Sequence, residues 1–167
     1  GFGPAAGPPT IPSAYNNLKR IIQTQDSIMI LAEMVHDVRV IPIGGTHNPK
    51  NIRSWMGDSV GRWEGDTLIV ETVNFKSEPG LTAADENLQV IEKFSRIDAA
   101  TLLYQFEVSD PTVWAETWKG EYPWPQTQDK VYEYACHEGN YALGNIMRGA
   151  RILEDDLLSG ASSGGQE

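Results

Sequence analysis

The sequence is poor in several things. It holds one cysteine, Cys136, among 167 residues, so no disulfide can form within it and cysteine usage favours neither a reducing nor an oxidising compartment. Its three histidines, His36, His47 and His137, share no His-x-His or His-x-x-x-His spacing, so no metal site is expected. Basic residues are scarce. Thirteen Lys and Arg against 23 Asp and Glu leave a net charge of −10, which repels nucleic acid and anionic membrane surfaces. No apolar run approaches the roughly 18 residues of a membrane span. The most hydrophobic stretch, 28–35, is of strand length and already contains Glu33. A Walker loop, Gly-x-Gly-x-x-Gly after a strand and Cys-x-x-Cys are all missing. Nucleotide and flavin chemistry therefore have no foothold, and no cofactor is expected.

What is present suits one folded domain. Apolar residues at 40% and charged residues at 22% are ordinary for a globular chain, and five Trp, six Tyr and four Phe supply large surfaces for a β-rich core. Residues 1–18 carry four of the ten prolines, which predicts an extended arm lying on the domain with Tyr15 as its anchor. With Gly1 in place of an initiator Met, the chain is expected to follow a processed upstream segment.

Strand-type runs follow at 20–24 and 28–35, and again at 36–43, where Val38 and Val40 alternate with Asp37 and Arg39. The stretch 53–75 reads as a strand, a tight turn at Glu64-Gly65-Asp66 and a second strand, with Trp55 and Trp63 seeding the core. Residues 88–95 and 101–109 form a further hairpin, in which Leu102, Tyr104, Phe106 and Val108 share one face. Residues 112–119 and 131–136 complete a count of about eight strands, with Tyr122-Pro123-Trp124-Pro125 read as a break because proline cannot donate to a ladder. Leu143, Ile146, Ala150 and Leu153 recur at helical spacing, which predicts one amphipathic helix starting near Asn140 as its cap. The expected architecture is mainly β, an antiparallel meander forming a curved sheet or a barrel, with one C-terminal helix. Its parts are an arm at 1–18, a β-domain with its helix at 19–153 and a polar tail at 154–167.

The motifs Gly61-Arg62-Trp63-Glu64-Gly65-Asp66-Thr67-Leu68 and Tyr134-Ala135-Cys136-His137-Glu138-Gly139-Asn140-Tyr141 resemble an uncharacterised family of exported bacterial β-rich proteins. Asn74-Phe75 and Asp110-Pro111 followed by Trp114 add to the likeness, which covers roughly residues 10–152. The resemblance implies an extracytoplasmic setting, periplasmic or secreted, and precursors with a secretion signal. It also makes Cys136 a candidate partner for an upstream cysteine. A looser similarity, Trp-x-Gly-Asp leading into an aliphatic strand, is to lipocalin-like barrels.

Candidate chemistry is sparse. His36 offers an imidazole able to act as acid or base near neutrality, with Asp37 and Arg39 expected to pair on the solvent face of the same strand. His137 sits at the strand-to-helix junction, where a pocket can open. Cys136 and His137 are consecutive and point to opposite faces of a strand, which argues against a thiol and base pair. Glu71 lies in mid-strand beside Ile69 and Val73 and should meet an arginine or line a polar cavity; Glu33 and Glu92 pose the same demand. Trp114, Trp118, Tyr122 and Trp124 form an aromatic group that either packs the core or presents a docking patch.

These residues favour a non-enzymatic extracytoplasmic accessory subunit or binding module, docked on a larger envelope or membrane-associated assembly through the Pro-rich arm, the polar tail and the aromatic patch of Trp114, Trp118, Tyr122 and Trp124. The alternative is a small barrel enzyme, a lyase, isomerase or hydratase acting on an apolar small molecule, with His36 or His137 as base and Glu71 or Arg39 as partner.

Overall fold

The computed structural model describes residues 7–77, 81, 84–135, 139 and 141–159. The chain divides into two compact units, Gly1–Tyr134 and Ala135–Glu167. The first is mainly β. Its strands are β1 (Lys19–Gln23), β2 (Ser27–Ala32), β3 (Val38–Pro42), β4 (Asp58–Glu64), β5 (Thr67–Val73), β6 (Gln89–Asp98), β7 (Thr101–Ser109) and β8 (Trp118–Pro125). They pair in sequence order, every named pair antiparallel, as a three-stranded sheet β1-β2-β3 and a five-stranded sheet β4-β5-β6-β7-β8. The sheets touch where Ile43 bridges Gly61 and the Gly44 N–H donates to the Gly61 carbonyl at 2.8 Å. The meander expected from the short connections is present, but it does not close into a barrel.

Local chemistry explains the hairpins. β4 and β5 pair from Asp58↔Val73 to Glu64↔Thr67, which leaves Gly65-Asp66 as a two-residue loop. Gly65 takes φ 59°, the left-handed conformation that such loops favour and glycine adopts without strain. The core between the sheets gathers Ile28, Ile30 and Ile41 against Leu68, Val70, Val90, Phe94, Tyr104, Phe106 and Val108. The alternation foreseen in β7 appears as buried Tyr104, Phe106 and Val108 on one face. Opposite Phe106 stands Gly120, where a Cβ would lie 2.4 Å from the phenylalanine ring, so this position on β8 is held open for that ring.

Several expectations are corrected. Residues 112–117 carry no strand; the eighth strand is Trp118–Pro125, which keeps only the end of the expected 112–119 run and includes both prolines thought to break it. The reason is its place at the sheet edge. The next residue, Gln126, donates its N–H to the Ala100 carbonyl at 2.7 Å, so even-numbered N–H groups face β7. Pro123 and Pro125 lack their N–H on the outer side, where no strand among the described residues pairs with β8. Residues 131–135 carry no strand. Trp55 and Trp63 are 47% and 44% exposed and so do not seed the core; Lys76 lies over the Trp55 ring instead. Tyr15 is exposed as well, and the arm is anchored by buried Pro8, Pro9 and Thr10. The run from 28 ends as a strand at Ala32 and continues as a 3-10 turn, Met34–His36, in which Val35 and His36 take φ 53° and 46°.

The second unit contains one helix, α1 (Ala142–Leu158), which runs past residue 153 into the segment assigned to the tail. It begins after Tyr141, which makes no side-chain cap. Asn140, expected as the cap, lies outside the described residues. None of the helix residues is buried; Leu143, Ile146, Leu153 and Leu157 are all exposed.

Candidate functional site: a sealed ion pair, a histidine held by carboxylates and an open groove

Three polar arrangements stand out, and they differ in how far water reaches them. The deepest is centred on Arg39 of β3. In that strand Arg39 and Ile41 are buried while Val38 and Val40 are exposed, so the predicted alternation holds with its faces reversed. Arg39 does not pair with Asp37. Its Nη1 donates to Glu92 Oε1 at 3.0 Å and its Nη2 to Glu92 Oε2 at 2.5 Å, a two-pronged pair in which the side chains are 5% and 0% exposed. The Nε donates to Ser59 Oγ at 3.0 Å and Nη2 also to Thr72 Oγ1 at 2.8 Å, and the two hydroxyls lie 2.9 Å apart.

The network continues outward. Tyr104 donates its hydroxyl to Glu92 Oε1 at 2.7 Å and accepts the Thr10 N–H at 2.8 Å, while Tyr122 donates to the Thr10 carbonyl. Burial first, and then the Glu92 charge, push the Tyr104 phenol well above its ordinary range, so it stays a donor. The chain of contacts ties β3 to β4, β5, β6, β7, β8 and the arm. All three guanidinium nitrogens donate to side-chain oxygens of β4, β5 and β6, so Arg39 serves as a lock between the sheets.

The second arrangement surrounds His47, which lies in the loop after β3. Its Nδ1 is 3.2 Å from Asp58 Oδ2, and its Nε2 is 3.8 Å from Glu71 Oε2. Asp58 accepts from the Asn48 N–H at 2.7 Å and the Asn48 amide at 2.9 Å, and Glu71 accepts from Gln89 at 2.6 Å. Glu71 therefore meets a histidine and an amide, where an arginine or a polar cavity was anticipated. The imidazole is part-exposed between two carboxylates, an arrangement that orients the ring and can pass a proton at the surface. Among the described residues no group of three or more His, Cys, Asp and Glu side chains is placed to hold a metal ion.

His36 is exposed, and Glu33 is engaged elsewhere, accepting from the Asn16 amide and the Tyr132 N–H. Asp37 is raised from the ordinary carboxylate range, chiefly by burial and against the pull of neighbouring His36, and its Oδ2 has no hydrogen-bond partner. The structure does not bring His36 together with Glu71 or Arg39. His137, like Cys136 and Glu138, lies outside the described residues.

The third arrangement is a groove of about 840 Å³ between β1 and β8. It is lined by Lys19, Arg20 and Ile21 on one side and by Tyr122, Pro123, Trp124 and Pro125 on the other, with Asp129 and Lys130 beyond. Of the four aromatic residues singled out in the sequence, Tyr122 and Trp124 belong to it. Trp114 and Trp118 instead stack edge to face on each other at 5.9 Å, and Trp118 stacks on Phe106, half-buried against the core. Lys19 Nζ lies 5.4 Å from the centre of the Trp124 ring and donates to the Asn17 carbonyl at 3.1 Å. Burial lowers its pKa to about 8.

Sequence reading missed Lys19. The signal available was the alternate spacing of Pro123 and Pro125, which marks an unpaired edge and hence an opening beside the first strand. A second space of about 730 Å³ is lined by Ile21 and Gln23 of β1 and by Trp63, Leu68 and Phe94. Comparison with family models, with curated proteins and with solved structures gives no match to the chain.

Proposed function

We propose that the chain is a non-enzymatic binding module of an extracytoplasmic compartment, and that the groove between β1 and β8 takes an elongated apolar small molecule. The observation that carries this is an opening of about 840 Å³ walled by Tyr122, Trp124 and two prolines. That size lies within the range of small-molecule sites, and the prolines prevent a ninth strand or a neighbouring copy from pairing along this edge. The extracytoplasmic setting rests on the resemblance to exported proteins. The buried Arg39–Glu92 pair supports a binding role because its hydrogen bonds run to protein groups that join strands. Titration with the neutral fluorophore N-phenyl-1-naphthylamine tests the reading. Saturable enhancement that weakens about tenfold in Trp124→Ala is expected, since a lost aromatic wall costs of the order of 1.4 kcal/mol. Absence of saturable binding, or binding indifferent to Trp124, overturns it.

A second reading, the accessory subunit, is favoured by α1. Leu143, Ile146, Leu153 and Leu157 form an exposed stripe, and Glu154, Asp155 and Asp156 flank its far end. Such a face suits a partner helix with basic flanks. The paired change Ile146→Asp with Leu153→Asp should abolish complex formation with that helix while leaving the β-unit's unfolding unchanged. A complex that survives both changes excludes α1 as the contact.

A further inference from the structure

The groove between β1 and β8 departs from the rest of the chain in the sign of its charge. The sequence carries ten more acids than bases, yet the groove is lined by Lys19, Arg20 and Lys130 against a single acid, Asp129. Asp129 accepts from Thr127 Oγ1 at 2.7 Å, and none of the three cations forms an ion pair with a described carboxylate. Lys19 is the most enclosed of them. Its ammonium has exchanged water for one carbonyl and the face of Trp124, so it has lost hydration without gaining a counter-charge. The fall of its pKa to about 8 is the titration counterpart of the same deficit.

We infer that the groove takes an apolar small molecule ending in a carboxylate, its body against Tyr122, Pro123 and Trp124 and its carboxylate on Nζ of Lys19. The inference rests on the groove being a binding site and names the chemistry of what enters it. A carboxylate supplies the missing counter-charge in a part-dehydrated place, where a charge-assisted hydrogen bond is stronger than in water. Arg20 and Lys130 at the groove's sides raise the local concentration of anions against a protein that otherwise repels them. An alcohol of the same length would keep the apolar contacts and leave Lys19 without its counter-charge.

The experiment compares decanoate with decanol at pH 7 on the full chain, each followed by displacement of N-phenyl-1-naphthylamine. Decanoate is expected to bind about tenfold more tightly than decanol. Lys19→Met should erase that preference, and Lys19→Arg should keep it. Equal affinities for the two probes in the parent chain, or a preference that persists in Lys19→Met, overturn the assignment of the carboxylate to Lys19 while the groove reading stands. Failure of both probes to bind overturns the groove reading and this inference together.

Discussion

Arg39 and Lys19 are both cations drawn out of water, and the protein treats them in opposite ways. Arg39 is surrounded by answers: Glu92 at both prongs, Ser59 at Nε, Thr72 beside them. Lys19 has a carbonyl and an aromatic face. A guanidinium so fully matched fixes the relation of the two sheets, because no other packing offers it the same set of acceptors. An ammonium left part-matched is a position where an outside molecule gains by supplying what the fold withholds. The difference separates a residue that shapes the molecule from one that faces its ligand.

Removing one side of the matched pair should break that contrast most violently. Glu92→Ala leaves a buried guanidinium unpaired and is expected to cost about 3–5 kcal/mol, seen as a large drop in the urea midpoint. The double change Arg39→Met with Glu92→Leu should be milder than the single one, since neither charge is then stranded. A double variant as unstable as the sum of its parts would deny the coupling. Tyr104→Phe probes the edge of the same network. It deletes one donor to Glu92 and the acceptor of the Thr10 N–H, for an expected loss of about 1–2 kcal/mol. Hydrogen exchange should show the Thr10 amide released, and unchanged protection there would show that the arm is held by other contacts.

The smallest effect belongs to Lys19 and has the opposite sign. Lys19→Met should raise stability at pH 7 by about 1 kcal/mol, the full pKa shift being discounted for partial solvent screening. Because its folded-state pKa is about 8 against an ordinary lysine value of 10.5, the unfolded chain binds the proton more tightly between those values. The cost is therefore complete below pH 8 and fades as pH climbs through that window, so the parent chain should gain on the variant between pH 8 and 10.5. Urea melts at pH 7 and pH 10 measure this, and a difference independent of pH would assign the effect to packing.

Much of the fold was legible because strand periodicity is local. In β7, buried Tyr104, Phe106 and Val108 alternate with half-buried neighbours, as the residue types require. The same rule gave β3 its period and the wrong face, since alternation does not say which side is inward. What turned Arg39 inward is Glu92, 53 positions away, and no short window contains both. Glu92 and Arg39 were each recognisable as residues needing explanation, and only the sheet packing joins them. β8 was obscured for a related reason: proline forbids a central strand and permits an edge, and edge status is a property of the finished sheet. His47 was unreadable because its partners Asp58 and Glu71 lie on two later strands.

The outer edge of β8 also bears on how the chain reaches its fold. Within each sheet every strand pairs with its neighbour in sequence, whereas sealing β1 to β8 would require the costly meeting of segments near opposite ends of the unit. Pro123 and Pro125 remove that step from the folding problem. Long ties are left to Thr10, whose bonds to Tyr104 and Tyr122 span 94 and 112 positions. Thr10 can dock only on strands already in register, so the arm is the last piece to settle, and its amides should gain protection after those of β6 and β7.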